Sequence, residues 1–186
     1  VRAGDWLKVT GGGSARVRCV VQVAREASRE LIALPCGLCI TPGHPVFVDG
    51  RWQAPRDLPG GVRVPSEAGC VYNVVLDRCH VLPVDGVDCV TWGHGLKGQG
   101  IEHAFFGSQR VIDSLAALEG WTRGFVNVEG VLRNKEGDVV GLWGGATCAP
   151  PKEAPMGAEG SPASKVEVLG LVVGSAAALP PPNGCR

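Results

Sequence analysis

Short apolar segments separated by turn residues recur along most of this chain, and this spacing restricts the fold more than any other feature. Valine and isoleucine favour extended backbone, whereas Gly, Pro, Asn and Asp interrupt it. Eight such segments are predicted as strands: residues 6–9, 15–24, 31–34, 37–40, 45–48, 71–76, 80–84 and 87–92. Asp49-Gly50 and Asp85-Gly86 are typical of two-residue hairpin turns. The sequence therefore predicts an all-β fold.

One short helix is predicted over residues 108–119. Ser108 occupies a position that favours an N-cap, and Gly120 follows the last turn. Four apolar residues at helical spacing form its buried face: Val111, Ile112, Leu115 and Leu118. A final hairpin is expected from residues 131–133 and 139–142, which flank a Glu-Gly turn.

The composition changes near residue 144, where proline and glycine become frequent. We predict one domain over residues 1–143 and a disordered Pro/Gly-rich tail over residues 144–186. Residues 165–173 could add a stray strand, but no function is expected in the tail.

The charge balance excludes some function classes. Eighteen basic and eighteen acidic residues cancel, so no field favours nucleic acid or an anionic membrane. The chain also lacks the run of about twenty apolar residues that spans a bilayer. We therefore expect a soluble domain with no cofactor, nucleic-acid or membrane partner. No secretory signal is visible, so an intracellular location is favoured while the compartment stays open.

The segment before Asp49-Gly50 places a hydroxyl and an imidazole three positions apart, as Thr41 and His44. Pro42 and Pro45 restrict the backbone around them, so the directions of both side chains are largely preset. An imidazole gives or takes a proton near neutral pH. The pair predicts either an acid–base site or a histidine that only stabilises a turn.

A second segment also places a histidine after a strand-forming run and a turn. Residues 71–76 form a β-rich run, a turn follows, and His80 opens the next apolar run. Together the two segments resemble the self-processing Hint domains of hedgehog proteins and inteins. Thr41-x-x-His44 matches the Thr-x-x-His motif of that family, and Val71-Tyr72-Asn73 through His80 matches its later Val-Tyr-Asp-Leu…His motif.

Further segments resemble one Hint subfamily, Vint, which is found with von Willebrand factor A domains. These segments are residues 86–95, 103–107 and 120–121. The resemblance covers roughly residues 1 to 125 and implies a pseudo-two-fold β-fold. It also implies that the substrate is the chain's own flanking polypeptide, and that a von Willebrand factor A domain is a possible neighbour in the same parent chain.

The resemblance implies a cysteine-dependent acyl shift from nitrogen to sulfur, which cleaves the chain at the amino end of the domain. In this scheme His44 is the general acid for the leaving nitrogen, and Thr41 orients or polarises the scissile amide. His80 is expected to assist the acyl steps.

The cysteine that starts this reaction is not visible in the chain. Residues 2–9 resemble the Hint strand that contains Gly-Asp-x-Val, which in the family follows that cysteine. Val1 is not an initiator methionine, and the single methionine is Met156. We therefore expect an amino-terminally truncated piece of a longer product, inert as printed.

Full protein splicing is not expected. Aligning Asp85-Gly86-Val87 with the end of an intein places Val90 and Thr91 where His and Asn release the intein. Neither residue can perform that step, so the resemblance implies hedgehog-like cleavage. Cys89 lies close to the end of the domain core and is expected to be a buried packing thiol.

Several alternatives remain open. One alternative is a structural zinc site, because the chain contains the right ligand types at Cys36, Cys39, His44, Cys79 and His80, although their spacing matches such a site poorly. The same Cys36 and Cys39 could instead form a redox pair, and the eight cysteines could form four disulfides.

Two further alternatives concern the cleft and the scaffold. His94 and His103 could border the cleft or serve only in packing. A different class of function is a degenerate Hint scaffold, which acts as a structural or interaction module of a larger protein.

Overall fold

The computed structural model describes residues 1–24, 30–65 and 69–144, together with the backbone of residues 171–172. Its strands are numbered in chain order: β1 (Trp6–Lys8), β2 (Ser14–Ala24), β3 (Glu30–Ala33), β4 (Cys39–Ile40), β5 (Val46–Val48), β6 (Arg51–Gln53), β7 (Val62–Pro65), β8 (Cys70–Leu76), β9 (Val81–Val84), β10 (Val87–Val90), β11 (Phe125–Val128), β12 (Gly130–Arg133), β13 (Val139–Trp143) and β14 (Leu171–Val172). One α-helix, α1 (Gln109–Ala116), and two 3-10 turns, Pro55–Asp57 and Trp121–Arg123, complete the described elements. The predicted all-β fold with one short helix is confirmed.

The long strand β2 organises the core. It pairs antiparallel with β1 and β8 and parallel with β11. Successive side chains of a strand point to opposite faces, and β2 alternates exposed and buried residues up to Arg18 but buries both faces over residues 19–21. Val20 packs into one apolar cluster with Leu38 and Cys89, while Val21 packs into a second with Leu115. This double burial explains the continuous apolar run over residues 19–21.

A second sheet, in the order β6-β5-β10-β9, carries the two predicted Asp-Gly turns. Asp49 and Gly50 have φ of 52° and 75°, and Asp85 and Gly86 have φ of 48° and 82°. Positive φ at both central residues is the geometry of the tight hairpin turn whose twist matches its strands. The two predicted hairpins are confirmed.

Helix α1 is shorter than predicted and buries Val111, Ile112 and Leu115 in the second cluster. Ser108 occupies the N-cap position, but its hydroxyl donates to the carbonyls of Ala104 and Phe105 and does not cap the helix. The expected role of Ser108 as a capping side chain is therefore wrong. The described residues contain no helix with the length and apolar character that crossing a bilayer requires.

Strands β7 and β11 were not predicted, whereas the hairpin of β12 and β13 was. Strand β7 has only four residues, is largely exposed and ends at Pro65, so it gives too short a pattern to predict a strand. Strand β9 begins at Val81 because His80 lies in a turn in which the Val81 amide donates to the Cys79 carbonyl at 2.8 Å.

The predicted tail lies outside the described residues, apart from Gly144 and Leu171–Val172. Leu171–Val172 form β14, which pairs antiparallel with β4, within the range where a stray strand was predicted. The division into residues 1–143 and 144–186 stays a prediction.

Candidate active site

The Thr41–His44 segment is a tight turn held by backbone hydrogen bonds. The amide of His44 donates to the carbonyl of Thr41 at 3.1 Å, and the amide of Arg56 donates to the carbonyl of Pro42 at 3.2 Å. Pro45 leads directly into β5. The local sequence therefore fixes His44 at the entrance of a strand, as expected from the two prolines.

His44 is a buried histidine with only 9% of its surface exposed. Its Nε2 lies 2.9 Å from the carbonyl oxygen of Val90, which accepts only, so Nε2 carries the hydrogen. The Nδ1 atom of the neutral ring is then free of hydrogen. Burial is the largest cause that lowers the pKa of His44, and the charge of His94 acts in the same direction. The hydrogen bond to Val90 opposes them, and the resulting pKa is about 4.

The end of β10 joins His44 to a second histidine. Val90 holds His44, and the next residue, Thr91, is completely buried. The Thr91 amide donates to the carbonyl of His80 at 2.9 Å, and the Thr91 hydroxyl lies 3.3 Å from Nδ1 of His80. Two consecutive residues, the last of β10 and the one after it, thus contact both predicted catalytic histidines.

His80 lies in a strained turn between β8 and β9. Cys79, which precedes it, has φ of 50°, a left-handed conformation that is unfavourable for a cysteine. Burial lowers the pKa of His80, the carboxylate of Asp77 opposes this shift, and the charge of Arg18 reinforces it. Strained backbone persists only where the surrounding structure imposes it, which fits a turn that presents one particular side chain.

His94 and His103 complete the set of four histidines in the chain. Leu96 donates its amide hydrogen to Nδ1 of His94, and two successive amides donate to Nδ1 of His103. Both neutral rings therefore carry their hydrogen on Nε2. Burial, then the charges of His80, His103 and Lys97, lower the pKa of His94 to about 4. Burial also lowers the pKa of His103.

A cleft of about 950 Å³ brings most of these groups together. His44, His94 and His103 line it, as do the hydroxyl-bearing residues Thr41 and Thr91. The predicted alternative in which His94 and His103 border the cleft therefore agrees with the structure. His80 is not part of the lining; it lies behind Thr91 and reaches the cleft through that residue.

The remaining walls are aromatic and charged, with acidic as well as basic side chains. Trp52 on β6 forms one side together with Arg51 and Arg56, and Trp92 and Phe106 stack on another side with ring centroids 5.1 Å apart. The loop before His103 packs so closely against β6 that a Cβ on Gly100 would lie only 2.2 Å from the carbonyl oxygen of Trp52. The cleft can therefore hold a peptide segment or a small molecule with an apolar part.

The six cysteines that the structure describes are free thiols. Cys89 is completely buried in the first apolar cluster, and burial raises its pKa to about 12. The expectation that Cys89 is a buried thiol is confirmed. Cys36 and Cys39 form no disulfide in this structure. Cys148 and Cys185, needed for a complete set of four disulfides, lie outside the described residues.

The zinc interpretation finds no support in the described part of the chain. Among residues 1–24, 30–65 and 69–144, no three His, Cys, Asp or Glu side chains lie close enough together to hold a metal ion. Because a structural zinc site needs four such ligands, Cys36, Cys39 and the histidines do not form one in this arrangement.

The all-β fold and the Thr-x-x-His turn are those expected of a Hint-type domain, and a family model agrees. The Vint family, described as a Hint-domain, matches residues 1–141. The chain belongs to this family. No curated protein matches it.

Three members of the site were not predicted as functional residues: Thr91, the carbonyl of Val90, and Asn73. The buried Asn73 side chain accepts hydrogen bonds from the amides of Val74 and Trp92, which ties β8 to the end of β10. The signal for Thr91 was present in the sequence. A two-residue turn at Asp85-Gly86 fixes the hairpin register, and that register places residue 91 beside residue 80.

Proposed function

We propose that this Vint domain promotes self-cleavage of its parent chain by an acyl shift from nitrogen to sulfur. The substrate is the peptide bond that precedes a cysteine on the amino side of the domain. The products are a thioester and a free amine, and water or a thiol then releases the thioester. A von Willebrand factor A domain in the same parent chain is a proposed neighbour.

The observation that carries this proposal is the state of His44. Its Nε2 is occupied by the Val90 carbonyl, so the neutral ring has a single lone pair, on Nδ1, available to a substrate. A buried imidazole at the wall of a cleft can move a proton between two groups of one substrate, provided both lie within hydrogen-bond distance.

The pKa of about 4 determines the order of the proton transfers. At pH 7 roughly one His44 side chain in a thousand is protonated, so the ring is a base before it is an acid. In the proposed sequence Nδ1 takes the proton of the cysteine thiol, and the thiolate attacks the preceding carbonyl carbon. The C–N bond breaks, and the leaving nitrogen takes the same proton from Nδ1. Hydrolysis of the thioester then yields a carboxylic acid and restores the thiol.

Thr41 is the proposed polarising group. Its side chain lines the cleft in the same turn as His44, and its carbonyl accepts the amide hydrogen bond that forms this turn. A hydroxyl that donates to the scissile carbonyl favours the charge that develops there, an effect worth roughly 3 kcal/mol at such sites.

A second candidate function is a scaffold without self-cleavage. The observation in its favour is that no cysteine is among the residues that line the cleft in the described part of the chain. In this case the cleft would bind a segment of another protein or domain and perform no chemistry on it.

The experiment is expression of the complete natural open reading frame, followed on reducing gels with and without dithiothreitol. We expect the wild type to split into two fragments, faster with thiol. The variants H44Q and T41V test the two groups, and T10V, an exposed threonine bonded to Asp88, is the matched control. Glutamine can still donate to the Val90 carbonyl but cannot accept a proton near neutral pH.

We expect H44Q to abolish cleavage, T41V to slow it about 100-fold, and T10V to leave it unchanged. Circular dichroism establishes that each variant is folded. If the wild type stays intact even with thiol, the self-cleavage proposal is wrong and the scaffold function stands.

A further inference from the structure

The short segment at the end of β10 contacts two imidazoles with adjacent residues, and one of its side chains has no assigned role. We propose that Thr91 is a positioning residue that fixes the orientation and the tautomer of His80. Its effect on cleavage rests on the proposed function, whereas its hold on the ring does not.

The hairpin register brings the two residues together. Val90 pairs with Val81 across β9 and β10, so Thr91 and His80 are the next pair along the ladder. The Thr91 amide donates to the His80 carbonyl at 2.9 Å, and the Thr91 hydroxyl lies 3.3 Å from His80 Nδ1. The backbone and the side chain of His80 are therefore both bonded to one residue.

Burial determines which partner donates. Thr91 has 0% of its surface exposed, and a buried hydroxyl hydrogen without an acceptor is costly. Within the described part of the chain, the acceptor found for this hydroxyl is His80 Nδ1. The hydroxyl therefore donates to Nδ1, and the neutral ring of His80 carries its hydrogen on Nε2.

The segment that contacts the two rings is anchored by hydrogen bonds of the two residues that follow it. The Trp92 amide donates to the Asn73 side chain at 3.3 Å, and the Gly93 amide donates to the Phe106 carbonyl at 2.8 Å. Val90 binds His44 and Thr91 binds His80 from this fixed backbone. The peptide at the end of β10 thus determines the hydrogen positions of both histidines.

The test uses the 186-residue chain, labelled with ¹⁵N at histidine, and records the ring nitrogens of His80 by NMR as a function of pH. The variants are T91V, which keeps the shape and removes the hydroxyl, and T91S, which restores it. T10V is the matched control, since it removes a threonine hydroxyl that binds Asp88 instead of a histidine. Urea unfolding establishes that all variants are folded.

We expect wild-type His80 in the Nε2–H tautomer and a mixture of tautomers in T91V. The charged or titratable groups that act on the ring, Asp77, Arg18 and the nearby His94, are unchanged in the variant. Because the hydroxyl bond favours the neutral ring, T91V should raise the pKa of His80 by about 0.5 to 1 pH unit. T91S and T10V should match the wild type. Unchanged ring signals in T91V would overturn the proposal.

A second measurement separates this proposal from the proposed function. In the complete reading frame, T91V should slow cleavage about 10-fold, as should H80A, and T91S should restore the rate. A shifted His80 ring with an unchanged cleavage rate would overturn the role of Thr91 in the reaction. Failure of the wild type to cleave would overturn the proposed function and leave the NMR result on the ring intact.

Discussion

At the scale of single residues, His44 shows how burial changes the expected chemistry. The Thr-x-x-His motif predicts an imidazole with an ordinary pKa near neutral pH that acts as a general acid. Inside the fold, burial lowers its pKa to about 4 and the Val90 carbonyl occupies Nε2. The motif predicted the residue, but its protonation state depends on β10, which lies more than forty residues further along the chain.

Cys89 is a packing residue, because it is completely buried in the first apolar cluster. Replacing its thiol with a hydroxyl in C89S buries a polar group in the first apolar cluster. We expect C89S to lower the free energy of unfolding by about 1–3 kcal/mol in urea titrations. The exposed Cys36 is the matched control, and C36S should change stability by less than about 0.5 kcal/mol. A neutral effect of C89S would contradict the packing role.

At the scale of elements, local sequence signals predicted the hairpins, whereas the pairing of distant strands was not predicted. Asp49-Gly50 and Asp85-Gly86 determine their turns from two residues each. Strand β11 pairs parallel with β2, about one hundred residues away, and such pairing leaves no local pattern. The same reason explains the site. The Thr41–His44 turn is local and was predicted, whereas the contact between His44 and Val90 requires the pairing of β5 with β10.

The turn after β10 is held against helix α1, and glycine is needed there. Gly93 has φ of 73°, and a Cβ on it would lie 2.6 Å from the buried Ile112 side chain. Gly95 has a similar φ of 70° with nothing within 4 Å, so G95A measures the cost of the backbone alone. Alanine is unfavourable at positive φ, so both variants should lower the free energy of unfolding by about 1 kcal/mol. G93A should lower it by about 1–3 kcal/mol more, because its Cβ clashes with Ile112.

Urea unfolding at pH 7.5 measures the difference between G93A and G95A. A larger effect of G93A means that the packing of Ile112 against this turn holds the end of β10 in place. Equal effects would mean that Ile112 moves aside without cost, and that the helix does not support the site.

At the scale of the whole molecule, the fold favours the neutral form of its histidines, two of which, His44 and His94, are buried. All four histidines of the chain have lowered pKa values, and burial is the largest cause for each. Carboxylates pair at the surface instead, as in the contacts of Glu30 with Arg63 and Glu102 with Lys97. The free energy of unfolding therefore depends more on the protonation of the histidines than on the exposed ion pairs, which contribute little.

This arrangement predicts a stability that falls in mild acid. A neutral His44 with a folded pKa of about 4 and an unfolded pKa of 6.5 contributes its full stability above pH 6.5. That contribution is lost as the pH falls from 6.5 towards 4, because the unfolded chain binds the proton first. Between pH 7.5 and pH 5 the loss from His44 alone is about 2 kcal/mol.

Urea titrations at pH 7.5 and pH 5 measure this loss, with H44Q as the test and H103Q, at an exposed histidine, as the control. H44Q should lose about 2 kcal/mol less than the wild type between the two pH values, while H103Q should lose nearly as much as the wild type. The same carboxylates are present in all three proteins, so the comparison isolates the effect of His44. An equal loss in H44Q and wild type would mean that His44 is protonated normally in the folded protein, and the proposed order of proton transfers would then be wrong.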